Sequence, residues 1–246
     1  TSFNLAEGFM ANATEQTFSY QNLDAIFNGW SSLPTLQNGI NISFGSARYS
    51  QNSENGLNIL ENSYNWFVTD GGVLPAIELE PNGVTIRATD LAVSGQEYDL
   101  GGTQYLVVAD KAALEAAYSG GRDMSTVITT RVTDMRDLLG YENTFNDNIS
   151  SWDVSNVTNM ELMLAYNSNF NQDLSNWDVS SVTNMYFLFI GCANFNSNIS
   201  SWDTSSVTNM GSMFNNATSF NQNLSDWNVS NIPTEPNNFD TGATAW

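Results

Sequence analysis

The 246-residue sequence has no histidine, a single cysteine, five prolines and only six lysines and arginines together. Without histidine the commonest general base near neutral pH and the commonest zinc ligand are both missing, which sets aside Ser-His and zinc chemistry as first readings. Cys192 has no second cysteine with which to close an internal disulfide. Six basic residues stand against 26 acidic ones, a formal charge of -20, and such a surface repels phosphate backbones and anionic headgroups, so nucleic acid is not an expected partner. No run of about 18 apolar residues is present to span a bilayer, and the first residues lack the charged-then-apolar form of an export leader. The chain therefore reads as soluble or already processed, a monomer or part of a larger chain, with no direct membrane insertion. What is plentiful is core material: 41% of residues are hydrophobic and 12% aromatic, which argues for a folded chain. The acidic, Asn- and Ser-rich composition suits salty or open surroundings.

The second half repeats itself at a fixed interval of 25 residues. "SSWDVSNVTNM" from Ser150 returns as "SNWDVSSVTNM" from Ser175 and as "SSWDTSSVTNM" from Ser200. Trp152, Trp177, Trp202 and Trp227 form one column, Phe145, Phe170, Phe195 and Phe220 a second, and Met135, Met160, Met185 and Met210 a third. A period in this range marks units that cannot stand alone and bury their apolar faces against their neighbours. Upstream, Met124, Val127, Thr129, Val132 and Met135 keep the frame although the tryptophan is lost, so the array begins near Arg122; Pro233 and Pro236 interrupt it after Ile232.

Within a repeat, Leu174, Trp177 and Val179 give the pattern apolar-x-x-apolar-x-apolar. Alternation over W-x-V predicts a strand with Trp177 and Val179 inside and Asp178 outside, and the spacing over 185–189 predicts a short helical segment. The expected fold is thus an α/β repeat solenoid, leucine-rich-repeat-like, with parallel strands and short helical segments. A small β-hairpin and helix region should precede the regular array.

The unit "FNQDLSNWDVSSVTNM", followed by a segment such as "GSMFNNATSF", resembles the repeat of BspA-like leucine-rich repeat surface proteins of bacteria. The likeness is specific over residues 122–232 and looser before them, where "INISFGSARYS", "SYNWFVTDGG" and "RVTDM" resemble the lead-in to such arrays. It implies a secreted or cell-surface bacterial protein with a binding or adhesive role, and supplies no catalytic residue and no ligand.

The chain divides by pattern into three parts. Residues 1–74 read as irregular α/β, degenerate coils of the same kind: "QNLDAIFNGWSSL" and "GLNILENSY" as helices, "INISF" and "NWFVT" as strands, the latter ending at Gly71 and Gly72. Residues 75–121 read as a connector in which "GVTIRA" and "TQYLVVA", joined through "GQEYDLGG", give a β-hairpin or small sheet, and "KAALEAAYSGG" forms a helix with a glycine stop. Residues 122–246 hold the regular array and a closing partial coil.

The candidate site follows from what core packing does not require. Trp and Phe columns at in-facing positions read as core, not as sugar platforms. The asparagine columns at Asn159, Asn184 and Asn209, and at Asn146, Asn171, Asn196 and Asn221, read as hydrogen-bonding ladders, and Cys192 as an inert buried thiol. The outward files differ. Asp153, Asp178 and Asp203 continue into Asn228, and beside them run Ser151, Asn176, Ser201 and Asp226. Adjacent carboxylates repel by roughly 1 kcal/mol in water, so the files serve either solubility or recognition. These eight residues are the candidate ligand-binding set, for a protein or a glycan on another surface. No cofactor is expected; calcium is the one ion considered, and a single row of carboxylates supplies few oxygens per ion. Three classes of function remain: a surface binding or adhesion module, a spacer that binds nothing, and an acid-base enzyme such as a glycosidase. The last needs two carboxylates about 5 to 10 Å apart in a cleft, for which repeated acids on an open face are badly placed, so no enzyme is expected.

Overall fold

The computed structural model describes residues 20–44, 47–70 and 72–243. Gly71, expected at a strand end, and residues 244–246 of the expected closing coil lie outside the described residues. The chain forms two compact units, Thr1–Pro75 and Ala76–Trp246.

In the first unit, helix α1 (Tyr20–Ser31) and helix α2 (Glu54–Tyr64) alternate with β1 (Asn41–Ser43) and β2 (Phe67–Thr69). The two strands pair in parallel with Ile42 opposite Val68. Apolar spacing along α1 buries Leu23 and Phe27, which join Leu57 and Leu60 of α2 and Ile42 of β1 in one core. The helices approach closely because Gly56 has no side chain: a Cβ there would lie 2.8 Å from the carbonyl oxygen of Phe27. Asp24 ties α1 to the turn before α2, accepting from the Ser50 N–H at 2.7 Å and from both the Ser50 and Ser53 hydroxyls.

The second unit opens with an antiparallel hairpin of β3 (Ile77–Leu79) and β4 (Ile86–Ala88). A three-stranded sheet follows, in which β6 (Thr103–Val107) pairs antiparallel with β5 (Glu97–Leu100) and parallel with β7 (Val127–Ile128). Helix α3 (Lys111–Ser119) starts at Asp110, whose carboxylate accepts from the Ala113 N–H at 2.9 Å. The expected helix over "KAALEAAYSGG" is present. Of the expected β-hairpin or small sheet, "TQYLVVA" pairs with Glu97–Leu100 inside the stretch, while "GVTIRA" pairs back with Ile77–Leu79.

From Asp123 onward the repeats are built of tight turns. Trp177 donates its N–H to the Leu174 carbonyl and Val182 to the Val179 carbonyl, at 3.1 and 2.9 Å. One repeat joins the next in single parallel bridges at Asp134, Asn159, Asn184 and Asn209. Beyond these bridges alternate peptide groups line up: the N–H groups of Leu162, Leu164 and Tyr166 donate to the carbonyls of Tyr186, Leu188 and Ile190, while the carbonyls of Glu161, Met163 and Ala165 accept from Asp137, Leu139 and Tyr141. That alignment requires left-handed backbone at Leu162 and Tyr166 (φ 57° and 58°), and again at Phe187 and Gly191 (60° and 69°).

The expectation of a leucine-rich-repeat-like α/β solenoid is therefore overturned. Strands are few and short and lie in separate sheets of two or three, and the repeats contain neither a W-x-V strand nor a helix over 185–189. The reason is local. The Asp178 side chain accepts from the Ser180 N–H at 3.1 Å and folds D-V-S into a turn, and a left-handed residue at Phe187 ends any helical run before it forms.

What does lie in register is the side chains. The tryptophan rings stack at centroid distances of 6.5, 6.4 and 6.2 Å and within 5° of parallel, and the phenylalanines from Phe145 to Phe220 stack beside them. Both columns are buried. Asn171, Asn196 and Asn221 each donate a backbone N–H to the side-chain oxygen of the asparagine one repeat before, at 2.9 to 3.1 Å, whereas the side-chain oxygens of Asn159, Asn184 and Asn209 close turns within their own repeats and their carbonyls accept from Met135, Met160 and Met185 of the repeat before.

Candidate binding cleft

The hairpin β3–β4 places its second strand beside the first complete repeat. Ile86 bridges Trp152 in parallel, and its N–H donates to the Ser151 carbonyl at 3.0 Å. At the hairpin turn, the Asn82 side chain accepts from the N–H groups of Val84 and Thr85 at 3.0 and 2.9 Å and donates to the Thr85 hydroxyl. This turn overhangs the outward file. Glu80, Asn82, Thr85 and Arg87 form one wall of a cavity of about 460 Å³, and Asp153, Ser155, Asn176 and Asp178 line the other side. Arg87 is held by Glu78 and Glu80 at 3.3 and 3.0 Å and stays about half exposed, a cation lining the same cavity as Asp178.

The eight expected residues thus fall into two groups. Asp153, Asn176 and Asp178 line the cleft, with Asp153 buried under the hairpin at 7% exposure and Asp178 open to solvent. Ser151 gives its carbonyl to the hairpin. Ser201, Asp203, Asp226 and Asn228 are exposed further along the repeats and do not reach the cleft.

The acid file also has local work. Asp153 and Asp178 each accept the N–H and hydroxyl of the serine two residues on, at 3.1 and 2.6 Å, and Asp203 and Asn228 accept the same N–H at 3.0 Å. The Ser205 hydroxyl, with its N–H, holds the Asp203 carboxyl below its ordinary range. In Asp178 and Asp203, which are exposed, one oxygen closes a turn and the other is left to face outward, whereas Asp153 is buried. Among the described residues no three His, Cys, Asp or Glu side chains gather so that they could hold a metal ion, and no helix is long and apolar enough to cross a membrane.

Sequence reading missed Glu80, Asn82, Thr85 and Arg87, which belong to no repeat. The signal was there: "PNG" between the alternating segments "IELE" and "TIRA" is a hairpin turn.

A family described as "Mycoplasma protein of unknown function, DUF285" matches residues 111–192 and again 175–245, together more than half of the sequence. The chain belongs to the DUF285 family. The matched segments of this DUF285 chain contain all eight expected site residues, whereas the hairpin wall at 80–87 precedes them. No curated protein and no solved structure matches it.

Proposed function

We propose that this chain is a secreted or cell-surface bacterial binding module of BspA-like type, not an enzyme, and that it recognises a protein or glycan through the polar face of its repeats at the cleft between β3–β4 and Asp178. The observation that carries this reading is the cleft itself: a charged, hydrogen-bonding hairpin wall opposite Asn176 and the free oxygen of Asp178. Pockets with a few convergent polar groups are where ligands are oriented. The mixture of Arg87 with Asp178 and Asn176 favours a polar partner able to donate and accept, which a glycan hydroxyl array and a protein loop both do.

Screening the intact chain against a glycan array and a panel of cell-surface proteins, with and without calcium, tests the reading. Asp178→Asn, which keeps a turn-closing oxygen as Asn228 does in the same column, and Arg87→Gln should each weaken a captured ligand by about tenfold or more with little change in melting temperature. A second reading, a spacer that binds nothing, is favoured by the turn-closing role of every aspartate in the file. Retained attachment in both variants would decide for it.

A further inference from the structure

The turn side of the repeats carries a file of left-handed residues, Tyr141, Tyr166, Gly191 and Asn216, at φ 67°, 58°, 69° and 58°. Glycine and asparagine adopt that conformation readily, whereas a bulky side chain crowds the following carbonyl. The other large residues that adopt it, Leu162 and Phe187, are partly buried and gain packing in return. Tyr141 and Tyr166 do not, being 61% and 42% exposed. The fold thus keeps two tyrosines where Gly191 and Asn216 serve the same backbone, and it takes little burial from them.

The two rings are nonetheless held in place. They stack with centroids 5.1 Å apart and planes 23° apart. Tyr166 also lies close over Gly191, where a Cβ would come within 2.8 Å of its ring. The bare glycine of the following repeat gives Tyr166 a floor, and Tyr141 of the preceding repeat covers it. Polar groups border the pair: the Asn143 N–H donates to the Tyr141 carbonyl at 3.2 Å, and the Asn169 side chain donates to the Asn143 carbonyl at 2.6 Å. Glu142, Asn143 and Asn169 are all exposed.

We propose that Tyr141 and Tyr166 form a stacking platform for the pyranose rings of a neutral glycan, a second binding site separate from the β3–β4 cleft. Strained backbone retained under exposed side chains marks a place where those side chains are used. A sugar ring lays an apolar C–H face on an aromatic ring and offers hydroxyls at its edge to amides and carboxylates, the two kinds of group found here. Area argues against a protein: the exposed parts of the two rings amount to roughly 200 Å², about a quarter of what one partner contributes to a stable protein interface. Charge argues against an acidic glycan, since Glu142 borders the rings in a chain of formal charge -20, and it sets two copies of the chain against each other for the same reason. Neither tyrosine lines the β3–β4 cleft, so either site can fail without the other.

The test titrates the full chain with neutral oligosaccharides of glucose, mannose and N-acetylglucosamine, and with oligogalacturonate as the acidic control, followed by calorimetry and saturation-transfer NMR. A neutral sugar should bind at about millimolar concentration or below, with saturation strongest at its ring C–H protons. Tyr141→Ala should weaken it by about tenfold or more, and Tyr141→Phe, which keeps the ring, by no more than about twofold. Tyr166→Asn installs the residue that Asn216 supplies in the same file; it should weaken binding as much as Tyr141→Ala does while the melting temperature holds or rises. Asp178→Asn should leave this binding unchanged. Binding of none of the neutral sugars, a preference for oligogalacturonate, or equal binding by Tyr141→Ala each overturns the proposal. Binding lost in Asp178→Asn and kept in Tyr166→Asn overturns it in favour of the cleft, and a fall of more than about 5 °C in the melting temperature of Tyr166→Asn overturns it in favour of a purely structural stack.

Discussion

The indole N–H of Trp202 donates to the carbonyl of Leu174 across 2.9 Å, linking two residues 28 apart in the chain. The same bond recurs from Trp152 to Met124, Trp177 to Ile149 and Trp227 to Ile199. Trp202→Phe keeps a ring in the stack and loses the donor, so it should cost about 1 to 2 kcal/mol, one net hydrogen bond with some loss of packing. Trp202→Ala should cost about 3 to 5 kcal/mol through the cavity it leaves. Urea unfolding of the two variants measures both, and no measurable cost for Trp202→Phe would mean that the hydrogen bond contributes nothing.

Asn167 makes the opposite prediction. Its side-chain amide is fully buried and hydrogen-bonds to no described residue, in a column shared with Cys192 and Ala217. An unsatisfied buried polar group costs about 1 to 3 kcal/mol. Asn167→Ala should therefore stabilise the chain by about 1 kcal/mol once the smaller volume is allowed for, seen as a higher unfolding midpoint at unchanged slope.

Cys192 is sealed in the core, and burial pushes its thiol up to about 12. A raised folded value means that its contribution to stability is fully present below the ordinary thiol value of about 8.5 and is lost as pH rises from there toward the folded value. Folded protein at pH 8 should resist a thiol-specific reagent, and the reaction should follow global unfolding when denaturant is added. Rapid labelling of folded protein would contradict the burial.

Asp203 and Asp173 run the other way. Each is lowered, Asp203 first by the Ser205 hydroxyl and Asp173 first by the Ser175 N–H. Lowered folded values stabilise the fold above the ordinary carboxyl value, and that contribution is lost as pH falls through the folded one. Ser205→Ala should move the Asp203 carboxyl upward in an NMR titration while leaving Asp173 in place.

Gly191 sits at φ 69°, and a Cβ there would come within 2.8 Å of the Tyr166 ring. Gly191→Ala should cost roughly 1 to 2 kcal/mol from the backbone alone. Pairing it with Tyr166→Ala, whose exposed ring stacks on Tyr141 at 5.1 Å, should recover only the steric part.

The columns were legible before any coordinates, because a fixed period of 25 aligns like with like: Trp177 is buried and Asp178 exposed as the alternation requires. The backbone that carries them was not. Left-handed conformation is usually betrayed by glycine, but here Leu162, Tyr166 and Phe187 adopt it, and the three-and-four spacing over 185–189 imitates a helix. Nor does a spacing rule foresee that Asp178 uses one oxygen to close its own turn. The cleft was half legible: Asn176 and Asp178 stand out by repetition, whereas Arg87 occurs once, about 90 residues earlier, and its role depends on a long-range bridge from Ile86 to Trp152 that no local pattern encodes.

Because the peptide groups at Leu162, Leu164 and Tyr166 all donate toward the following copy, the two faces of a repeat are unlike, and any copy presents to its successor what its predecessor presented to it. A gene encoding such a chain can gain or lose a whole 25-residue block by unequal recombination and still join correctly at the seam. An insertion of a single codon would misalign every ring downstream, so length in this lineage should vary in steps of one full period.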